Sequence, residues 1–513
     1  MSFGVIEKTG LTVISLLERA KSLFPDQVVV SGGKRVSYEE IYRDVERISG
    51  ALQTLGVKKG DIIGVAEWNT LRFVELLYAA SMTGAVIYPV NVRLPAEQAV
   101  YTLHHSGCGF LFASSDFEPL AAKSGLPPQR RIMLDDQSGT NYQTLLSGKE
   151  GFGARIHEDD LYSMLYTSGT TGTPKGVLYT NRKVVLGAMS IVHQLGLFRA
   201  QAKLQSDDVI MPLIPFFHLW AWGSAFHAAY LGCKYVLGGR FSAEAAVDTI
   251  IREGVTWINA VPTMVHELMR STRAEELRGL KILVGGSPLP KSLSTQMEKM
   301  GVKYSMIYGG TDMLAAAIRL ETSKGGETKT SLHPVPFVEM RVVKMDGTSA
   351  TRSGEMGELY IRAPWLPDGY YKDKENTSAS FTSDGWFRTG DIARLEEDHG
   401  IQILDRLKDV IKSGGEWIPT STVESIISEV EGVDTVAVIG KQNPKWGERP
   451  IAVVKAHGNN TAERIKQHLD EQVQKGRIAK WWVPDEIIFV DEIPLTSVGK
   501  IDKKTLKEKY TQS

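Results

Sequence analysis

Short runs rich in β-branched residues alternate with longer amphipathic segments along most of this 513-residue chain. Asp61–Glu67 reads as a strand, Leu71–Gly84 as a helix and Ala85–Asn91 as the next strand. The alternation returns in Lys234–Gly239, Ala243–Gly254, Val255–Pro262 and Thr263–Ser271. It continues through Lys281–Gly286, Lys291–Gly301 and Val302–Gly310. Units of this kind fold as βα repeats with largely parallel sheets, helices on the sheet faces and binding loops at the strand ends. Past about residue 330 the texture changes. Met340–Met345, Gly357–Ala363 and Gly400–Leu407 are short strands between Gly and Asp turns, a small and mostly antiparallel section. Beyond Leu407 comes a compact α+β tail. The predicted fold is therefore α/β: a large multi-subdomain N-terminal body over 1–406, and a small C-terminal domain over 407–513.

Composition narrows the function classes. Lys and Arg total 59 against 60 Asp and Glu, a net charge of −1, which gives no general electrostatic reason to bind nucleic acid. Two cysteines, Cys108 and Cys233, exclude a disulfide scaffold and a Cys-rich zinc site, and buried free thiols are expected. No stretch approaches the ~18 apolar residues of a spanning helix, and no basic leader precedes an apolar core, so a cytoplasmic protein is expected.

The sharpest local signal is Tyr166-Thr-Ser-Gly-Thr-Thr-Gly-Thr-Pro-Lys175-Gly-Val. Glycines let backbone N–H groups turn toward a ligand, hydroxyls donate to phosphate oxygens and the lysine adds a mobile positive charge. The spacing excludes a Walker loop: Gly169 and Gly172 are separated by two residues, and glycine rather than Ser or Thr follows the lysine. A kinase is disfavoured for the same reason.

That string resembles, almost letter for letter, the phosphate loop of the adenylate-forming superfamily, and Glu416-Trp417 after Gly414-Gly415 looks most like its fatty acyl-CoA synthetases. Further motifs occur in the family's order. Tyr308-Gly-Gly-Thr-Asp312 stands where the family has Tyr-Gly-x-Thr-Glu, Gly285-Gly286 resembles its second Gly turn, and Asp391 and Arg406 match its ribose and phosphate residues. Asp405–Trp417 resembles its hinge and mobile loop, and Pro494–Asp502 its terminal lysine motif.

The resemblance implies an ATP-dependent enzyme that forms an acyl-adenylate and passes the acyl group to the thiol of CoA, with release of AMP. ATP or AMP would be held by Thr167, Ser168, Gly169, Thr170, Thr171, Gly172, Lys175, Gly286, Tyr308, Gly309, Thr311, Asp391, Arg406, Lys412 and Lys500. Lys500, Lys412, Thr311 and Asp312 would serve the chemistry, and Thr167 and Asp312 the Mg²⁺ ion. Asp312 departs from the family's glutamate by one methylene, which bears on how it reaches a metal. The C-terminal domain would turn about Lys408, and Trp417 would border the CoA tunnel.

The acid pocket falls, by the same resemblance, on His218, Leu219, Trp222, Gly286 and Gly310. Amino-acid-activating relatives place an Asp near His218 and Leu219, so an amino acid is disfavoured. Acetate-specific relatives close the pocket with a tryptophan just before the Thr-Glu motif, where this chain has Gly309 and Gly310. A fatty acid of medium to long chain is expected, with an aryl acid as the alternative. Lys475, Arg477 and Lys480 either meet CoA phosphates or form a solvated face. Transfer to a carrier protein and a non-catalytic adenylate-binding regulator are the remaining alternatives. A homodimer through the N-terminal domain is compatible with the family but tied to no residue here.

Overall fold

The structure is a computed structural model describing residues 10–135, 140–151, 155–167, 173–324, 327–458, 462–494 and 501–511, with the backbone alone over 321–330. Its contacts divide the chain into two units, Met1–Glu339 with Ile361–Phe387, and Met340–Tyr360 with Arg388–Ser513.

The first unit contains two sheets. One is built from Ile62–Ala66 (β1), Val86–Pro89 (β2), Phe110–Ala113 (β3), Leu161–Tyr166 (β4) and Gly176–Thr180 (β5), with Arg131–Met133 at its edge. The order is Arg131–Met133, β3, β1, β2, β4, β5, parallel except for β5 against β4. The helix Leu71–Thr83 (α1) links β1 to β2; the Thr70 hydroxyl accepts the Phe73 N–H at its start, and Gly84 ends it at φ 75°. Side chains on both faces of α1 are buried, including Glu75. Burial pushes the Glu75 carboxyl up to about 8, so near neutral pH it is largely uncharged, with its Oε2 accepting the Tyr142 hydroxyl.

The second sheet of this unit uses Val209–Pro212 (β6), Lys234–Leu237 (β7), Trp257–Ala260 (β8), Lys281–Gly285 (β9), Lys303–Gly310 (β10), Leu314–Lys324 (β11) and Glu327–Pro334 (β12). Its order is β12, β11, β10, β9, β8, β6, β7, then Val28–Ser31 and Lys34–Ser37. The run from β10 to β7 is parallel. In both sheets the chain leaves one strand toward one side and later returns to its other side: β1 lies between β2 and β3, and β6 between β7 and β8. Such reversal points open a crevice at the carboxyl ends of parallel strands, where ligands of α/β proteins bind. The chain leaving β6 is the Pro215–Trp222 segment, and Gly285-Gly286 ends β9 two strands away.

The second unit carries Glu339–Val343 (β13), Met356–Arg362 (β14), Phe387–Leu395 (β15) and Ile401–Arg406 (β16), neighbours in that order. Its other sheet has Ile411–Ser413 (β17), Glu416–Ile418 (β18), Val433–Asn443 (β19), Gly447–Ala456 (β20) and Glu486–Phe489 (β21), packed on Thr420–Ile427 (α2) and Ala462–Gln474 (α3). This division differs from the expected one at 406/407. The reason is packing: Ile392 of β15 and Leu404 of β16 share one apolar cluster with Val410 and Trp417, so the strands before Lys408 belong with the residues after it.

Both cysteines are free and buried, as expected, and burial pushes each thiol up to about 12. Among the described residues no helix is long and apolar enough to cross a membrane.

Candidate active site

The phosphate-loop motif connects the antiparallel strands β4 and β5. Its ends are pinned: the Thr167 N–H donates to the Lys175 carbonyl at 2.9 Å, and the Lys175 N–H to the Thr167 hydroxyl at 3.2 Å. Ser168, Gly169, Thr170, Thr171 and Gly172 lie outside the described residues. Tyr166 is buried, with its hydroxyl 2.8 Å from a ring nitrogen of His105.

The Lys175 ammonium donates to Asn376 Oδ1 at 2.6 Å and lies 4.8 Å from the centre of the Tyr370 ring. The Tyr370 hydroxyl donates to Asp312 Oδ2 at 2.8 Å, and Tyr179 donates to the Thr311 carbonyl at 2.6 Å. Burial, and then the Asp312 carboxylate, push the Tyr370 phenol up, so it keeps its proton and acts as a donor. One continuous set of contacts thus joins the phosphate-loop lysine to the Tyr308–Asp312 motif. The connecting residues were missed. Asn376 is itself held by Asp373, which caps the helix Lys374–Ser380, and the run Gly369-Tyr-Tyr-Lys-Asp373 carried only the local signal of a turn before a capped helix.

Tyr308, Gly309 and Gly310 end β10, with a register shift between Tyr308 and Gly309. A Cβ on Gly309 would lie 2.0 Å from the Leu314 carbonyl oxygen. Gly309 is therefore required by close backbone approach at the turn from β10 to β11. At Gly310 a Cβ would meet only side-chain atoms of Met313 and Asp312, at 3.1 and 3.3 Å.

Leu219, Trp220, Ala221 and Trp222 have φ of 52°, 53°, 55° and 53°. Four consecutive non-glycine residues make a left-handed helical turn, a conformation that costs roughly 1–2 kcal/mol per residue. Trp220 is buried against Tyr162, Tyr179 and Phe226, the core-packing role expected of at least one of the two tryptophans. Trp222 lies instead at the end of β9: a Cβ on Gly285 would come within 3.1 Å of its Cη2 and 2.6 Å of Ile307 Cγ2. Gly286, next in the chain, is exposed at φ 83°. His218, Leu219, Trp222 and Gly286 are thus drawn from two strand ends of one sheet. His218 and Leu219 are half-buried.

In the second unit Asp391 and Arg406 face each other across β15 and β16, with Arg406 Nε 2.9 Å from Asp391 Oδ1. Asp391 is buried, while half of the Arg406 side chain is exposed. Lys412 is exposed on β17 opposite Trp417, and its backbone N–H donates to Glu448. Trp417 is buried among Ile392, Leu404 and Val410, and its indole N–H has no partner among the described residues. Lys408 is exposed, and its carbonyl accepts from Lys507 at 3.5 Å. Lys500 lies outside the described residues. Arg477 forms a bidentate pair with Glu429, which favours the solvated-face reading for that cation.

Among the described residues no group of three or more His, Cys, Asp or Glu side chains is placed to hold a metal. An Mg²⁺ ion carried on nucleotide phosphates asks the protein for one or two oxygen ligands. The Asp312 carboxylate and Thr167 hydroxyl are of that type.

Residues 17–371 match the AMP-binding enzyme family, and residues 422–500 match the AMP-binding enzyme C-terminal domain. The chain is 36% identical to the long-chain-fatty-acid–CoA ligase of Thermus thermophilus, over 98% of this chain and 96% of that one. It is 35% identical to the 3-methylmercaptopropionyl-CoA ligase of Ruegeria lacuscaerulensis, over 99% of this chain and 98% of that one. Among solved structures, ATP-bound MatB from Rhodopseudomonas palustris shares the fold with a TM-score of 0.83 at 23% identity, over 98% of this chain and 99% of that one.

Proposed function

This chain belongs to the AMP-binding enzyme family and is an AMP-forming acid–thiol ligase, and on that premise we propose that it joins a fatty acid of medium to long chain to CoA. Its substrates are ATP, a carboxylic acid and CoA. The observation that carries the choice of acid is the wall formed where the His218–Trp222 turn meets Gly285: Leu219 and Trp222 are apolar, and none of His218, Leu219, Trp222, Gly285 and Gly286 is a carboxylate that could pair with a substrate ammonium. The likeness to a long-chain-fatty-acid–CoA ligase supports the same reading.

A carboxylate is a poor electrophile until one oxygen is converted into a good leaving group. Attack of that oxygen on the α-phosphorus of ATP expels pyrophosphate and leaves an acyl-adenylate. The thiol of CoA then attacks the acyl carbon, and AMP departs. The acid is already ionised at pH 7, so the first step needs no general base. It needs cations, because both reactants are anions. Lys175, steered by Asn376 and Tyr370, is assigned to the phosphates, and Lys500 to the carboxylate and α-phosphate. Asp391, a buried acceptor beside Arg406, is assigned to the ribose hydroxyls. Thr311 and Tyr308 are assigned to the α-phosphate and the adenine. Mg²⁺, held by Asp312 and Thr167, would neutralise phosphate charge. By the family resemblance Lys500 would block the thiol's approach once the adenylate has formed, which would give a physical reason for a turn of the C-terminal domain about Lys408 between the steps.

Acid-dependent pyrophosphate release, measured from acetate to palmitate and on cinnamate with and without CoA, tests the proposal. Multiple turnover only with CoA, highest between octanoate and palmitate, is expected. A maximum on acetate, propionate or cinnamate would overturn the choice of acid. Release that stops after one turnover despite CoA would overturn the choice of acceptor.

A further inference from the structure

The left-handed turn at Leu219–Trp222 contains no glycine or asparagine, the residues that visit this conformation readily, so its own sequence does not hold it. Something outside the turn must. Its backbone bonds, Trp220 N–H to the Phe216 carbonyl, Trp222 N–H to the His218 carbonyl and Gly223 N–H to the Leu219 carbonyl, close the turn. Two fully or nearly fully buried asparagines hold the segment from outside. Asn259, at the third position of β8, donates from Nδ2 to the Ala221 carbonyl at 2.7 Å and accepts the Ile214 N–H on Oδ1 at 3.2 Å. Asn69, just after β1, donates to the Pro212 and Ile214 carbonyls at 3.2 and 2.8 Å and accepts the Phe216 N–H at 2.9 Å. Asn69 therefore fixes where the segment leaves β6. Asn259 is the one that reaches the turn itself, tying its third residue to the start of the segment.

Every bond-forming atom of the Asn259 side-chain amide that the turn uses is committed to backbone, and the side chain is 0% exposed. A buried carbonyl deprived of its donor is costly, so the Ala221 carbonyl stays turned toward β8 only while Asn259 is present. With Ala221 in that orientation, Trp222 is delivered against Gly285. Without it, the strained residues can relax toward right-handed or extended backbone, and the indole leaves the end of β9.

We infer that Asn259 is a positioning residue for acid selection, holding through the Ala221 carbonyl the left-handed turn that sets Trp222 against Gly285 and so fixes which acid length is accepted. This rests on the reading that the Trp222–Gly285 wall lines the acid pocket.

The test measures kcat/KM for decanoate and palmitate, and KM for ATP, in the wild type and in three variants: Asn259→Ala, Trp222→Ala, and Asn259→Ala combined with Ala221→Gly. Asn259→Ala is expected to change the decanoate-to-palmitate ratio by about tenfold, the scale on which an apolar pocket discriminates acids of different length, with KM for ATP almost unmoved. Trp222→Ala is expected to shift the ratio in the same direction. Adding Ala221→Gly is expected to bring the ratio back toward the wild-type value, because glycine takes the left-handed conformation without the steric penalty. A merely structural loss would lower both acids alike and raise KM for ATP. A ratio that moves in Trp222→Ala but not in Asn259→Ala overturns the inference and leaves the pocket reading standing. A ratio unmoved in Trp222→Ala overturns the pocket reading and the inference with it. Should Asn259→Ala not fold, the double variant decides: folding with a near wild-type ratio supports the inference, and misfolding or a shifted ratio contradicts it.

Discussion

Lys500→Ala is expected to lower acid-dependent pyrophosphate release by roughly 10²–10³-fold, the usual effect of removing one preorganised group that stabilises transition-state charge. Reaction of a supplied acyl-adenylate with CoA is expected to stay within about a factor of three, the residual change small on the scale set by ordinary surface substitutions. The split comes from where the cation stands in each step. In the first step an anionic carboxylate approaches an anionic phosphate, and a cation between them lowers the barrier directly. In the second step, on the proposed account, the C-terminal domain has turned and carried Lys500 away from the acyl phosphate, so its loss falls on the first step alone. Rapid quench of each half-reaction separates the two. Equal loss in both would contradict the role assigned to Lys500.

Asp312→Ala is expected to raise the Mg²⁺ concentration needed for half-maximal turnover by about 10–100-fold, the range found when a group that holds or orients a metal ligand is lost. The structure adds a second consequence. Asp312 Oδ2 accepts the Tyr370 hydroxyl, and the Tyr370 ring flanks the Lys175 ammonium, so losing the carboxylate also frees the ring that steers the lysine. Tyr370→Phe separates these effects, since it removes the hydroxyl and keeps the ring. Its Mg²⁺ dependence is expected to match the wild type while kcat falls. An unchanged Mg²⁺ dependence in Asp312→Ala would remove Asp312 from the metal.

Much of this architecture is legible in the chain because parallel strands are buried on both faces and so appear as uninterrupted β-branched runs. The apolar runs within Ile62–Ala66 and Lys281–Gly285 are the nearest cases. The phosphate loop is legible for a different reason: backbone N–H groups can approach phosphates only where glycine and small hydroxyl residues cluster. Asn376 is invisible to such reasoning because it meets Lys175 across 201 residues, through a side-chain bond that leaves no periodic trace. The Leu219–Trp222 turn is invisible because local preference predicts the opposite hand, and the Asn259 bond comes from a strand 38 residues further along the chain. Gly309 is legible as a glycine of importance, but the close approach of the Leu314 carbonyl beside it is not. The boundary at 406/407 marks where the composition changes, whereas packing centres on the Trp417 cluster, which gathers residues from both sides of Lys408.

Activation of the acid as an adenylate is the step on which every assigned role depends, and oxygen transfer tests it most directly. With decanoate labelled by ¹⁸O in both carboxylate oxygens, attack on the α-phosphorus carries one labelled oxygen into AMP when CoA displaces it. Mass spectrometry of the products is predicted to find AMP bearing a single ¹⁸O and pyrophosphate bearing none. Label in inorganic phosphate, or unlabelled AMP beside labelled acyl-CoA, would contradict it.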